Sequence, residues 1–416
     1  MADKYTFGFP EGELYHSRAR NDNLKLILRY PGGALPGKAG FEEILATDEM
    51  VLIGSENHPL AKFEKIPTTA AARAFLQFAK NDSFLLPLNS GLLKIGDSLM
   101  RILERDFSDK EECPSILIAN LNLASDVKTN LSAMDEVVQI AHEKRANMVI
   151  FPELTVTGYV WDTQDPREVR ELLEEGENEK IRPSIKRFQE SLRDDGKGLE
   201  YIFYNNVRKK DGDFYNSTFV LNRKIDYRRE EYIYDKVFLT PVERPYYRQG
   251  SDGRLTIETK WGIFGFLICY DLCFVELAKN YAFKDHTDAI ITMADWRSEA
   301  FREYPRMNIK RDHYYGFLWD LMNSSKAAYN QVWSLGANMV GPHAVTGDYF
   351  WGGSGIWAPS GMKIVEASNI TEELILVRNL DIKGQRYKER DDFNYQIDFA
   401  SFYKHMEEAG SVCHKC

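Results

Sequence analysis

The sequence predicts an α/β fold with a two-sheet core and helices packed outside it. Three observations point there. From Cys113 onward, short apolar runs alternate with segments of helical periodicity. Turn signals between several of the runs mark hairpins, so the sheets are mixed rather than purely parallel. The chain has 416 residues, 44% of them hydrophobic, enough to fill a large core.

Residues 1–112 differ from the rest and read as an N-terminal extension or a small α/β domain of unknown role. They hold the turn-rich piece Pro31 to Gly40 and a strand over Glu49 to Gly54. Helices are expected over Ala70 to Lys80 and Gly91 to Phe107. In the second, Leu92, Ile95, Leu99, Ile102 and Leu103 fall on one helical face. A larger domain spans 113–390. Ser115 to Leu123 reads as a strand. Asn130 to Arg145 reads as a helix with Leu131, Met134, Val137, Val138 and Ala141 on one face. Met148 to Glu153 reads as a buried strand, and residues 163–198 as charged helices. A strand–turn–strand unit is centred on Lys210, Asp211 and Gly212. Gly262 to Ile268 is an apolar run that stops at Cys269, Tyr270 and Asp271 and gives way to a helical pattern. Ala289 to Trp296 follows as a strand, then a helix and strand ending near Gly341, a hairpin-like pair over Gly352 to Ser368, and a last strand over Glu373 to Asp381. Residues 391–416 form a tail.

The charge balance excludes some functions. Lys and Arg number 53 against 63 Asp and Glu, a net charge of −10, so the basic footprint of a nucleic-acid binder is missing. No apolar stretch reaches the length of a bilayer-spanning helix, and the N-terminus shows no apolar signal-peptide core. Five cysteines in this length do not make a disulfide scaffold. A cytoplasmic protein without nucleic-acid or membrane partners is expected.

Cys269 is the focal residue. A thiol at the end of a buried strand, beside the N-terminus of the next helix, is expected to have a lowered pKa and backbone N–H groups nearby. Cutting an amide needs a nucleophile, a base, donors for the oxyanion and an acid for the leaving nitrogen. Cys269 can be the nucleophile. Glu153, which also ends a strand, can take its proton and return it to the amine. Lys236 can place positive charge near the developing oxyanion, with the backbone N–H of Tyr270 as a second donor. Read singly, each has a plainer explanation: a core cysteine, a turn glutamate, a surface lysine. The argument rests on the conjunction.

These segments resemble the nitrilase superfamily of carbon–nitrogen hydrolases. Phe151 to Tyr159 (FPELTVTGY), Tyr234 to Leu239 (YDKVFL) and Ile268 to Ala278 (ICYDLCFVELA) resemble its Glu, Lys and Cys motifs in order and spacing. Phe214 to Thr218, Asn330 to Gly341 and Gly352 to Gly361 give further matches, and the likeness runs over roughly residues 114 to 385. The resemblance implies a four-layer αββα sandwich that pairs into a homodimer or higher homo-oligomer. It implies Glu153 as base and acid, Lys236 as transition-state stabiliser and Cys269 as acyl-forming nucleophile, with Glu243 as a second glutamate holding Lys236 and Glu153. Tyr159, Trp296 and Arg297 are expected to border the substrate. No cofactor and no metal are called for.

The sequence departs from the pattern in places. Cys273, Phe274, Val275 and Glu276 stand where the family often has Arg-Phe-Pro-Glu, and the missing Pro weakens a helix start. Cys273 is one turn from Cys269 and reads as a helix cysteine or, alternatively, a resolving or metal-binding partner. Residues 297–318 form a longer link than usual, with Arg297, Arg302, Arg306, Lys310 and Arg311. It reads as a solvated helix face or as a cationic lid. Cys413, His414 and Cys416 lack the second pair that a zinc site needs. The expected activity is hydrolysis of a small non-peptide amide through a thioester at Cys269, releasing ammonia or an amine. Carbamoyl hydrolysis, nitrile hydrolysis, acyl transfer to an amine, and a non-enzymatic ligand-binding role on the same scaffold remain the alternatives.

Overall fold

In the computed structural model, the described residues are 98–251 and 254–409, with the strands Glu13–Arg18, Leu24–Tyr30, Leu52–Gly54 and Gly91–Ile95. The chain divides into two compact units, Met1–Arg101 and Ile102–Cys416. In the first, Leu24–Tyr30 pairs antiparallel with both Glu13–Arg18 and Leu52–Gly54. The expected helix over Ala70 to Lys80 lies outside the described residues. The expected helix over Gly91 to Phe107 is instead two strands, Gly91–Ile95 and Ser98–Asp106. Its apolar spacing fits a helix, but Ile102 and Leu103, adjacent in sequence, are both buried. Pairing beside the strand Glu373–Arg378 overrides the local periodicity.

The second unit is an αββα sandwich. Its first sheet runs in the order Ile233–Asp235, Asp213–Leu221, Tyr201–Lys210, Met148–Ile150, Ile116–Asn120, Glu373–Arg378 and the end of Ser98–Asp106. Its second runs Thr256–Thr259, Gly262–Ile268, Ala289–Ala294, Trp333–Asn338, Gly355–Trp357 and Lys363–Glu366. Each has three parallel strands at its centre and antiparallel neighbours outside them. Phe203 of the first sheet packs on Phe264 and Phe266 of the second, with centroids 6.2 and 5.4 Å apart. The central strands are buried on both sides, which explains their continuous apolar runs.

Helices close the two outer faces. Val127–Glu143 starts where the Asp126 carboxylate accepts from the Thr129 N–H at 2.7 Å, and it buries Met134, Val137, Val138 and Ala141. Pro166–Gly176 and Arg182–Ser191 each begin with Pro in the first turn, where its missing N–H costs nothing. Val275–Phe283 and Tyr314–Asn330 cover the second sheet. Gly265 admits this packing, because a Cβ there would lie 2.6 Å from the Tyr281 ring.

The segment 297–318 is helical only from Tyr314 on, where the helix Tyr314–Asn330 begins. Strands Arg302–Tyr304 and Ile309–Arg311 form an exposed hairpin. Pro305 starts the connecting turn, and Asn308 closes it at φ 52°. The tail contains the helix Tyr395–Ala409, while Cys413, His414 and Cys416 lie outside the described residues. Among the described residues no helix is long and apolar enough to cross a membrane.

The hairpin of Tyr201–Lys210 and Asp213–Leu221 turns through Asp211 and Gly212, both at positive φ, 53° and 89°. A Cβ on Gly212 would meet nothing within 4 Å. Gly212→Ala is therefore expected to cost only backbone strain, about 1 kcal/mol, in denaturant unfolding of the full chain. A loss of several kcal/mol would mean that the turn is packed rather than open.

Candidate active site

The carboxyl ends of the central strands of both sheets meet at one point. Glu153 follows Met148–Ile150, Cys269 follows Gly262–Ile268, and Asp295 follows Ala289–Ala294. Lys236 follows the edge strand Ile233–Asp235, and its backbone N–H donates to Asn216 O at 2.8 Å. Glu153, Lys236 and Glu243 are wholly buried.

The Lys236 ammonium lies between two carboxylates. Its Nζ donates to Glu153 Oε1 at 2.6 Å and to Glu243 Oε1 at 2.7 Å. An ammonium has three N–H donors, so one remains for another acceptor. Asn216 Nδ2 donates to the same two oxygens, at 2.7 and 3.1 Å. Glu153 Oε2 accepts from the Asp295 N–H at 2.9 Å. Glu243 Oε2 accepts from the N–H and hydroxyl of Thr240, at 2.8 and 2.7 Å. With its own proton committed to Glu243, the Thr240 hydroxyl accepts from Tyr159 OH at 3.1 Å. The loop carrying Tyr159 is held by His343, whose Nδ1 accepts from the Thr346 N–H, leaving Nε2–H to donate to Tyr159 O at 2.8 Å.

Burial alone would push Lys236 down, but Glu153 and Glu243 outweigh it and hold the ammonium well above the usual lysine range. Burial raises Glu153, and Lys236 opposes that rise. Asp295 is pushed well up by burial and then by the charge on Glu153. Neither of its carboxyl oxygens has a partner among the described residues, which fits a protonated acid.

Cys269 sits on a strained elbow with φ 45°, a conformation that a side-chain-bearing residue adopts at a cost. Asp271 holds the elbow. Its carboxyl accepts from the N–H groups of Phe238 (2.8 Å) and Ile268 (3.1 Å) and from Tyr234 OH (2.9 Å). Burial pushes Asp271 up to about 7 against the pull of Lys236 and these donors. The expectation of a lowered thiol pKa at Cys269 is overturned. Burial, then Glu153, push the sulfur well up, and the favourable effect of Lys236 does not compensate. The local structure supplies no counterweight. Cys269 opens a five-residue 3-10 turn, and the α-helix begins only at Val275, so no long helix dipole is aimed at the sulfur.

The structure thus brings Glu153, Lys236, Glu243 and Cys269 together and ties Tyr159 to them through Thr240. Tyr270 is the second residue of the 3-10 turn, so its N–H has no acceptor within that turn. Trp296 is buried, with its indole N–H donating to Tyr315 O at 2.7 Å and its backbone N–H to Asn338 Oδ1 at 2.7 Å. Arg297 stacks over Trp161 at 4.3 Å, and its Nε finds no acceptor among the described residues. Arg302 and Arg311 stack on Tyr314 and Phe317 of the neighbouring helix, both at 4.4 Å. Cys273 is half-buried and unpaired, with burial pushing its thiol up to about 11. Sequence reasoning missed Asn216, Thr240 and Asp295. Asn216 sits inside the FYNST match, the one signal that could have marked it. Among the described residues no group of side chains is arranged to hold a metal.

If Cys269 rests as a thiol, absorbance at 240 nm, taken as the difference between the parent and Cys269→Ala, should show no thiolate step between pH 5 and 9. A step in that range would restore the activated-thiolate reading.

A family model described as carbon–nitrogen hydrolase matches residues 116–386. A probable nitrilase of Schizosaccharomyces pombe is 25% identical over 284 residues, covering 68% of this chain and 93% of that protein. N-carbamoylputrescine amidase of Solanum lycopersicum is 24% identical over 292 residues, covering 67% and 91%. Among solved structures, a CN-hydrolase superfamily protein from Xanthomonas campestris has a TM-score of 0.55 at 17% identity, covering 69% of this chain and 97% of that one. An amidase from Nesterenkonia has a TM-score of 0.52 at 18% identity, covering 70% and 99%. With the αββα sandwich and a family match over more than half its length, the chain belongs to the carbon–nitrogen hydrolase family of the nitrilase superfamily.

Proposed function

We propose that the protein hydrolyses a small non-peptide amide through a thioester on Cys269. The observation that carries this reading is the buried Glu153–Lys236–Glu243 cluster beside a thiol on a strained elbow. Because burial keeps the thiol protonated, the nucleophile has to be made at the moment of attack. Glu153 takes the Cys269 proton as sulfur bonds to the carbonyl carbon. The remaining N–H of Lys236 and the backbone N–H of Tyr270 receive the negative charge that develops on the carbonyl oxygen. When the tetrahedral species collapses, the C–N bond breaks and Glu153 returns the proton to the departing nitrogen. Water then attacks the thioester, Glu153 accepts its proton, and a carboxylic acid leaves as the proton goes back to sulfur. Glu243 keeps Lys236 aimed and charged throughout. The chain's own residues complete the cycle, with no cofactor needed to balance it.

The names of several relatives favour amide-type substrates. A mutant of the amidase from Nesterenkonia shows the result of Michael addition of acrylamide at the active-site cysteine, and other relatives are named N-carbamoylputrescine amidase. Carbamoyl hydrolysis is the second reading, on the strength of that name. As in the family, the working unit is taken to be a homodimer or higher homo-oligomer.

The deciding assay is ammonia release from a panel of small amides, carbamoyl compounds and nitriles, with Cys269→Ala as control. Release from amides that vanishes in the control supports the proposal. Release only from carbamoyl compounds moves the assignment to the second reading, and turnover surviving in Cys269→Ala removes the thioester. Lys236→Met is expected to lose ~10²-fold or more in kcat/KM. It also leaves two buried carboxylates without their cation, so a lower melting temperature should accompany the loss. A rate within a few-fold of the parent would take Lys236 out of the chemistry.

A further inference from the structure

A cavity of about 350 Å³ lies among Asp288, Lys383, Arg386, Arg390, Asp391 and Asn394. Asp288 immediately precedes the strand Ala289–Ala294, and Gln331 lies just before Trp333–Asn338. These two strands are parallel to Gly262–Ile268, whose far end carries Cys269. The cavity therefore sits at the amino edge of the second sheet, one strand length (~20 Å) from the nucleophile.

Its chemistry is set by two guanidinium groups one helical turn apart. Arg386 Nε donates to Gln331 O at 3.0 Å, and Arg390 Nη2 donates to the same oxygen at 3.2 Å. Gln331 is fixed on its other side: its side chain donates to Phe393 O at 2.7 Å and accepts from the Tyr395 N–H at 2.9 Å. Among the described residues only Asp288 pairs with either arginine, through Arg386 Nη1, and its other oxygen is taken by the Ile263 N–H at 2.9 Å. Arg386 is 7% exposed, yet its Nη2 has no acceptor among the described residues, and neither has the buried Nε of Arg390. Two cations held on one carbonyl, with one carboxylate between them and two buried donors unused, form an incomplete site. Lys383 adds a third cation to the lining, and Asp391 a second carboxylate. The helix C-terminus at Gln331 explains why the arginines gather there. It does not use their remaining donors.

We propose that this cavity binds the phosphate group of a small phosphorylated molecule, or phosphate itself, as a second site separate from the catalytic centre. Guanidinium forks match a tetrahedral oxyanion, and an oxyanion seated among these residues would meet the charge of both arginines and the ammonium of Lys383. Nothing in the cavity reaches the Glu153–Lys236 cluster directly, so binding does not require the hydrolytic reading to hold.

Calorimetric titration of the full chain with inorganic phosphate, at constant ionic strength and with chloride as control, tests this. The expected result is saturable phosphate binding that is unchanged in Cys269→Ala. It should weaken at least about tenfold in Arg390→Gln, which removes a charged donor. Lys383→Ala, an exposed change that leaves the packing intact, should weaken it several-fold and guards against misfolding of the arginine variant. Absence of saturation at millimolar phosphate, equal binding of chloride, or unaltered affinity in both variants would overturn the proposal. Tighter binding of a phosphomonoester than of phosphate would identify the larger ligand as the occupant.

Discussion

The site depends on one cation kept charged where water does not reach. An isolated ammonium in a protein interior would lose its proton, because transfer out of water costs several kcal/mol. Lys236 keeps it because Glu153 and Glu243 lie on either side at hydrogen-bond distance. The dependence is mutual. Two carboxylates this close would repel each other, and Lys236 together with the amide of Asn216 holds them apart and satisfied. Removing Lys236 leaves two buried carboxylates without their cation, and removing either glutamate takes from the ammonium one of its two counter-charges.

The rest of the second unit can be understood as the frame for this cluster. The two sheets present Glu153 and Cys269 from different layers, and only their face-to-face packing through Phe203, Phe264 and Phe266 brings the pair together. The elbow at Cys269 carries backbone strain that Asp271 offsets by accepting hydrogen bonds from Ile268 just before the turn and from Tyr234 and Phe238 on either side of Lys236. The Leu154 backbone, also at positive φ, donates its N–H to Asn205 Oδ1 at 2.6 Å, so the residue after Glu153 is pinned in the same manner.

Burial has opposite consequences for the two halves of the chemistry. It strengthens the field of Lys236 at the position of a developing oxyanion, because less solvent screens it. It also keeps the Cys269 sulfur protonated, so that nucleophile and base are coupled through a single proton. A carboxylate raised by burial is a better acceptor for that proton than an exposed one. The same balance, left unfinished, marks the arginine-lined cavity at the opposite edge of the sheet. There the cations outnumber the acids that touch them.

The sequence by itself determined the alternation of strands and helices from Cys113 onward. Continuous apolar runs are buried strands or core helices, and their lengths and flanking turns separate the two. It also marked Glu153, Lys236, Cys269 and Glu243, because strand ends and a family-like spacing are local properties of the chain. It failed at 91–107, where helical spacing gave way to two strands, the end of the second lying beside a strand more than 260 residues later. The helix-face reading of the link 297–318 held only from Tyr314 on, because Pro305 and a left-handed Asn308 make a hairpin before it. The protonation of Cys269 was a matter for tertiary structure, since it depends on burial and on carboxylates from distant segments. So were the roles of Asn216, Thr240 and Asp295, whose partners lie 3 to 142 positions away. A hydrogen bond between such residues leaves no periodicity or composition to read. It exists only once the two sheets are stacked.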